Sequence, residues 1–113
     1  MKKFIILIPI YNDWKSVSRL LSEIDFQIKN WNAEVSIIIV NDASLEKRSG
    51  LDESYKKIKS IKIINMKKNK GHARCNAAGL KYINENENFD HIILMDGDGE
   101  DRPEELNLLF NKI

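Results

Sequence analysis

Two aspartates, Asp96 and Asp98, flank a single glycine directly after the apolar run HIILM. Residues two apart in an extended chain point to the same side, so both carboxylates can face one hard cation. Gly97 removes a side chain that would block a phosphate. Magnesium and manganese suit this pair, because they accept carboxylate oxygens and keep positions for substrate phosphates. The alternative is a solvated turn whose carboxylates cap the helix that Pro103 opens.

A second polar segment, NKGHARCNAAGL, follows a weaker apolar run. Asn69 and Gly71 predict a turn, and a helix beginning behind them would present free N–H groups to an anion. His72 and Arg74 lie in the first turn of that helix. The planar guanidinium of Arg74 can hold a carboxylate or a phosphate at two points. The alternative is that these are surface residues, with Arg74 bridging to an aspartate for structure alone.

The other strong apolar runs also end in polar residues. The first is followed by Tyr11, Asn12 and Asp13, and the second by Asn41 and Asp42. Parallel strands bring their carboxyl ends to one edge of a sheet, where ligands bind in open α/β folds. Carboxylates collected there repel one another unless a cation or hydrogen-bond donors lie between them. The strand ends therefore predict a polar ligand site.

The apolar runs predict a parallel sheet. They are rich in isoleucine and mostly do not alternate with polar residues, which is typical of strands buried on both faces. The predicted strands are Phe4 to Ile10, Val35 to Val40, Ile61 to Asn65 and His91 to Met95.

Helical patterns separate these strands. Apolar residues recur at three- and four-residue steps from Trp14 to Trp31, from Ala73 to Ile83 and from Leu106 to Ile113, and a shorter helix is predicted over Leu51 to Lys59. The alternating order predicts an α/β fold, a Rossmann-like parallel sheet with helices on both faces.

Composition limits the partners. Eighteen lysines and arginines balance seventeen aspartates and glutamates, for a net charge of +1, so no overall field draws the chain to nucleic acid. The basic stretch from Lys47 to Lys70 contains Tyr55 as its one aromatic residue, whereas nucleic-acid surfaces interleave several. One cysteine, Cys75, gives no sign of an oxidising compartment. Because no stretch approaches the length of a membrane span, we expect a soluble, cytoplasmic chain.

Together these segments resemble family 2 glycosyltransferases, which have the GT-A fold. The resemblance covers about residues 4 to 106, and the combination of an Asp-Gly-Asp motif with a Gly-His-x-Arg segment is similar to members that act on polyprenyl-phosphate lipids. The matching stretches are IPIYND, IIIVNDAS, NKGHARCNAAGL and IILMDGDGEDRPEEL.

The resemblance implies a nucleotide-sugar donor, linked to UDP or GDP. By this likeness Pro9, Tyr11 and Asp13 would line the base and ribose, and Asp42 would hydrogen-bond the base. The family's second motif usually reads Asp-Asp-Gly-Ser, and its first usually ends in glutamate. Asn41 and Ala43 depart from the former and Asp13 from the latter, which leaves the nucleotide preference open.

The resemblance also implies a divalent cofactor, Mg²⁺ or Mn²⁺. Asp98 would be its principal ligand beneath the diphosphate, and Asp96 would lie near both the ribose and the metal. Gly71, His72 and Arg74 would lie beside this site, with Arg74 binding a phosphate or an acidic side chain.

In this family the catalytic base follows the metal motif, in the acceptor-binding half. Residues 1–113 are therefore expected to be a nucleotide-sugar-binding half that is truncated before that part, with no catalytic residue of its own. The acceptor implied is a lipid phosphate, and any place at the cytoplasmic face of a membrane would come only from the missing carboxyl-terminal segments.

Two other classes remain as alternatives. A non-catalytic nucleotide-binding module would keep the same donor site. A signalling receiver domain would need an aspartate at the end of the third strand, where this chain has Asn65.

Overall fold

The computed structural model describes residues 1–47, 54–97 and 103–112. Its elements in chain order are β1 (Lys2–Ile10), α1 (Trp14–Gln27), β2 (Ala33–Asn41), β3 (Ile58–Asn65), α2 (His72–Asn86), β4 (His91–Leu94), a 3₁₀ helix (Pro103–Glu105) and α3 (Leu106–Asn111).

The strands form one parallel sheet in the order β3-β2-β1-β4. The pairing of β1 with β2 runs without interruption from Lys2 opposite Ala33 to Ile10 opposite Asn41. From β1 the chain moves outward to β2 and β3, and it then returns to place β4 on the other side of β1. This reversal is a topological switch point, and it opens a crevice between the carboxyl ends of β1 and β4.

The two central strands, β1 and β2, are buried on both faces over most of their length, as the apolar runs predict, whereas the edge strands β3 and β4 are partly exposed. On one face, alternate residues of β1 and β2 such as Ile6, Ile8 and Ile37 pack against α1 and α3. On the other face, residues such as Leu7 and Val40 pack with Cys75 and other residues of α2. The lack of alternation in the sequence therefore reflects strands covered on two sides, and the predicted fold class is confirmed.

Helix α2 lies very close to the sheet because Gly79 has no side chain. A methyl group on Gly79 would stand 2.5 Å from Cδ1 of Leu7 and 3.1 Å from Cγ2 of Val40. The first distance is shorter than real carbon contacts and the second is tight, so a larger residue at this position would require Leu7 or α2 to shift. The start of α2 is placed over the carboxyl edge of the sheet by the same packing.

Helix α1 is shorter than the apolar stripe predicts. It ends at Gln27, with Ile28 as its carboxyl-terminal cap, whereas the stripe continues to Trp31. Trp31 is buried beyond the helix, stacked on Phe110 with ring centroids 4.2 Å apart. Its indole N–H donates to Asn107 of α3. Trp31 therefore continues the helical spacing of buried residues although it lies in the loop after α1, where it packs against α3.

The predicted helix over Leu51 to Lys59 is wrong for the part that the structure describes. Residues 54–57 are not helical, and β3 begins at Ile58; residues 51–53 lie outside the described ranges. The cause is Asp25 of α1, whose carboxylate accepts hydrogen bonds from the N–H groups of Lys56, Lys57 and Ile58 at 2.8–3.0 Å. Those N–H groups therefore donate to a side chain instead of to the backbone carbonyls of a helix.

Substitution of Asp25 by asparagine should lower the free energy of unfolding at neutral pH by about 1–3 kcal/mol, because a charged acceptor of hydrogen bonds is lost. Burial raises the pKa of Asp25, but the N–H groups outweigh it and the net pKa lies below 3.8. The stabilisation is therefore complete above that pH and disappears as the pH falls through the lower, folded value. Chemical denaturation across the acid range measures it. Glu23→Gln, at an exposed position of the same helix, is the control, and an equal loss there would contradict the assignment.

Candidate functional site at the carboxyl edge of the sheet

A small pocket opens at the switch point between β1 and β4. Its volume is about 50 Å³, and three elements contribute to it: the end of β1 with its following loop, the first residue of α2, and the glycine after β4. The lining residues are Pro9, Ile10, Tyr11, Asp13, His72 and Gly97. Four of the residues predicted from sequence to bind substrate, Pro9, Tyr11, Asp13 and His72, thus meet around one opening, where this fold class binds ligands.

Beneath this edge, Asp42 joins β2 to the start of α2. Its side chain is 1% exposed. One carboxylate oxygen accepts the N–H of Lys70 at 2.7 Å, and the other accepts the N–H of Gly71 at 2.9 Å. The backbone carbonyl of Asp42 accepts the side-chain amide of Asn69 at 3.4 Å. Asp42 therefore fixes the loop that leads into α2.

The ionisation of Asp42 follows from these partners. Burial raises the pKa of Asp42, but the N–H groups of Lys70 and Gly71 and the thiol of Cys75 stabilise the charged form, and the net pKa is lowered. Burial and the nearby carboxylate raise the pKa of Cys75 to about 11. The thiol is therefore protonated at neutral pH and donates to Asp42, which gives the single cysteine a structural role.

The loop after β1 adopts an uncommon backbone conformation. Asn12 and Asp13 have φ angles of 56° and 50°, in the left-handed region. The side-chain oxygen of Asn12 accepts the N–H groups of Leu45 and Glu46 at 2.9 and 3.0 Å, while its own N–H donates to Ser44 Oγ at 2.7 Å. These bonds tie the loop after β1 to the loop after β2.

Asn12 was not among the predicted site residues. The signal that could have found it is weak: asparagine tolerates a left-handed conformation better than most residues, and it precedes a helix. Its partners lie more than 30 positions away along the chain, so no local pattern reveals them. The side-chain amide of Asn41 donates to Asn65, 24 positions along the chain, so no local pattern reveals this bond either. Asn41 in turn accepts the N–H of Ser44, which extends the network to the end of β3.

Asp96 and His72 approach each other across the switch point. Nδ1 of His72 lies 3.8 Å from Oδ1 of Asp96, and both side chains are about half exposed. Arg74 is exposed on the first turn of α2. Asp98, the predicted principal metal ligand, lies outside the described residues. Within the described ranges, no group of three or more histidine, cysteine, aspartate or glutamate side chains is arranged to hold a metal ion.

Gly97 is required by packing. A methyl group on Gly97 would stand 2.7 Å from Cγ2 of Ile10 and 3.0 Å from Cγ2 of Val17. Both neighbours are β-branched and buried, so they cannot move aside without strain. The glycine therefore lets the chain after β4 lie against β1 and α1. This packing is a second reason for the glycine, beside the predicted clearance for a phosphate, which stays a prediction.

Larger cavities lie elsewhere. One of about 330 Å³ separates the second half of α1 from the 3₁₀ helix, and another of about 450 Å³ lies beside the ends of β2 and β3, with Trp14 and Asn65 in its lining. Neither contains any of the residues that the sequence predicts to bind substrate or metal. The small pocket is the candidate site because position in the fold and residue chemistry agree there.

The comparisons with known proteins identify the family. The family model described as Glycosyl transferase family 2 matches residues 5–113. The chain belongs to glycosyl transferase family 2. The resemblance that the strand-end motifs predict is thereby confirmed.

Two curated relatives of this family 2 chain align along almost all of it. It is 31% identical over 108 residues to an uncharacterized glycosyltransferase of Synechocystis sp., an alignment that covers 95% of this chain and 33% of the relative. It is 26% identical over 111 residues to an uncharacterized protein of Methanocaldococcus jannaschii, covering 96% and 46%. The chain thus spans less than half the length of these relatives.

Solved structures support the fold. A crystal structure of S. aureus TarS 1-349 superposes with a TM-score of 0.69 at 19% identity, covering 99% of this chain and 32% of TarS 1-349. A second TarS structure gives a TM-score of 0.62 at 20% identity, covering 99% of this chain and 20% of that one. At this identity the likeness establishes the architecture alone.

No helix in the described ranges is both long and apolar enough to cross a membrane.

One departure from the family 2 pattern creates backbone strain. Ala43 has a φ angle of 58°, and it occupies the position where the Asp-Asp-Gly-Ser pattern has glycine. A side chain in the left-handed region crowds the following carbonyl oxygen, at a cost of about 1–2 kcal/mol. Glycine avoids that clash but has more freedom to lose on folding.

Ala43→Gly should therefore raise the free energy of unfolding, by about 1 kcal/mol once both effects are counted. Thermal and chemical denaturation measure the change. Ala33→Gly is the matched control, because Ala33 is buried in β2 with an ordinary strand backbone, and there the same substitution should destabilise. A loss of stability in Ala43→Gly would contradict the strain at this position.

Proposed function

We propose that this chain binds the nucleoside diphosphate part of a sugar donor at the pocket between β1 and β4, for transfer of the sugar to an acceptor. The observation that carries the proposal is the meeting of Pro9, Tyr11, Asp13 and His72 at the switch point, in a chain of glycosyl transferase family 2. Membership of that family implies a nucleotide-sugar donor and an acceptor. Those residues offer the apolar and polar contacts that a nucleotide needs.

The nucleoside would lie against the loop after β1. Tyr11 is 41% exposed at the pocket, so its ring is available to the base, and Asp13 offers a carboxylate to the ribose. Asp42 would accept a hydrogen bond from the base. A carboxylate has about four acceptor positions, and three donors from Lys70, Gly71 and Cys75 already occupy Asp42, so the base would use the one that remains on a side chain that is 1% exposed before binding.

The diphosphate would lie towards α2 and β4. Arg74 is exposed on the first turn of α2, where its guanidinium can pair with phosphate oxygens and the free N–H groups of the helix start add to the attraction. Gly71 begins this turn with a φ angle of 88°, a conformation that glycine adopts without strain. His72, on the same turn of α2, would border that space where it meets the pocket.

A divalent cation, Mg²⁺ or Mn²⁺, fits the donor chemistry of this edge. Asp96 offers carboxylate oxygens next to the pocket, and Asp98 would add a second carboxylate from the chain that follows. Ions of this kind bind through one or two carboxylates and complete their coordination with water and substrate phosphates. When bound there, the cation would neutralise charge that grows on the leaving diphosphate, a contribution commonly worth several kcal/mol.

The proposed reaction is displacement at the anomeric carbon of the sugar, with inversion and a nucleoside diphosphate as leaving group. This chain would orient the donor, and Arg74 would stabilise the departing phosphates. The base that deprotonates the acceptor would come from chain beyond residue 113, and the acceptor would be a lipid phosphate such as a polyprenyl phosphate. Efficient sugar transfer by the 113 residues alone would contradict this division of roles.

Titration calorimetry with UDP and with GDP, each with and without Mn²⁺, tests the donor site. We expect one of the two nucleotides to bind, more tightly with the cation present. Asp96→Asn should weaken the Mn²⁺-dependent affinity by at least about tenfold, the loss that even outer-shell changes cause at metal sites. Asp90→Asn is the control, since Asp90 bonds to the N–H of Lys3 at the opposite edge of the sheet.

Two outcomes would contradict the proposal. One is that neither nucleotide binds with or without the cation. The other is that Asp96→Asn and Asp90→Asn leave the affinity equally unchanged, which would show that Asp96 is not part of the site.

A further inference from the structure

Six basic residues on β3 and in the segment that follows it, up to Arg74, have two kinds of surroundings. Lys59 and Lys62, on β3, are paired with Glu34 at 2.6 Å and with Glu87 at 3.0 Å. Four cations that follow β3 are exposed, and none of them has a carboxylate within 4.0 Å among the described residues. We call these four the carboxyl-edge basic surface: Lys67, Lys68, Lys70 and Arg74.

The loop that carries this surface is held firmly. The N–H of Met66 donates to the carbonyl of Asn41 at 2.8 Å, and the N–H groups of Lys70 and Gly71 donate to the buried carboxylate of Asp42. The side chain of Asn69 adds a bond to the carbonyl of Asp42. The backbone that carries these cations is therefore held in place, although like charges along it repel one another.

An exposed leucine lies on the adjoining loop at the same edge. Leu45 is 85% exposed, yet its N–H is bonded to the side chain of Asn12 at 2.9 Å, and the next N–H is bonded to the same oxygen. Leu45 follows β2 and the lysines follow the neighbouring strand β3, so one edge of the sheet carries both an exposed apolar side chain and cations. Surfaces of this composition bind at the interface of anionic membranes.

We propose that the carboxyl-edge basic surface docks on the phosphate headgroups of an anionic lipid bilayer, with Leu45 entering the headgroup region. Lys67, Lys68 and Lys70 have no part in the proposed donor site, and Arg74 is the one residue that the two proposals share. The docking proposal departs from the expectation that membrane association comes only from missing segments, because here the contact is made by residues of this chain.

The distribution of charge supports a lipid surface. Asp13 and Asp96 follow β1 and β4, whereas Lys67, Lys68 and Lys70 follow β3, on the far side of β2. A bilayer can therefore meet these three lysines on a side of the edge away from those two carboxylates, although Glu46 is exposed next to Leu45. Nucleic acid is disfavoured because residues 66–74 contain no phenylalanine, tryptophan or tyrosine on which bases could stack.

Co-sedimentation with lipid vesicles tests the proposal. The 113-residue chain should bind vesicles that contain phosphatidylglycerol, should bind phosphatidylcholine vesicles much less, and should be released by salt. The double variant Lys67→Gln/Lys68→Gln should lower the partition coefficient about 30-fold, because each basic residue near an anionic bilayer contributes about fivefold. Leu45→Ser should lower it further in the same background.

The matched control is Lys59→Gln/Lys62→Gln, which removes the same charge from lysines that are already paired. It should change the partition coefficient much less than the Lys67 and Lys68 variant does. An equal loss in both variants would overturn the proposal, since net charge alone would explain binding. Tighter binding to a short DNA duplex than to the vesicles, or equal binding to neutral vesicles, would also overturn it. Circular dichroism checks that each variant is folded.

Discussion

The carboxylate of Asp42 and the N–H groups of Lys70 and Gly71 form the interaction on which the carboxyl edge depends. A buried charge without hydrogen-bond donors would be costly. The end of β2 and the start of α2 must therefore stay in contact whenever Asp42 is ionised. This bond sets where α2 begins. The position of His72 beside the pocket and the position of the four basic residues both follow from it.

The second constraint is the network that begins at Asn12. It links the loops after β1 and β2 and continues through Asn41 to Asn65 at the end of β3. The ends of three strands are thereby fixed relative to one another by side-chain amides. Because the backbone at Asn12, Asp13 and Ala43 is in a sparsely populated conformation, these loops keep their shape against local strain, as binding loops often do.

The fold was largely predictable because its signal is local. Runs of isoleucine without alternation predict strands buried on two faces, and polar residues directly after them predict a ligand-binding edge. Predictions failed where a distant residue decided the structure. Trp31 has a helical spacing but packs on Phe110 beyond the helix, and residues 54–57 are not helical because the carboxylate of Asp25 accepts the N–H groups at this point of the chain. The packing of Gly97 on Ile10 was likewise not predictable, because Ile10 lies far from it in the sequence.

Proton nuclear magnetic resonance during an acid titration tests the Asp42 interaction most directly. If the carboxylate holds both N–H groups, the amide signals of Lys70 and Gly71 should shift together, with one midpoint below 3.8, because the pKa of Asp42 is lowered in the folded chain. Asp42→Asn should abolish that shared transition while the fold persists. Independent movement of the two amides, or a midpoint at or above 3.8, would show that Asp42 does not fix the start of α2.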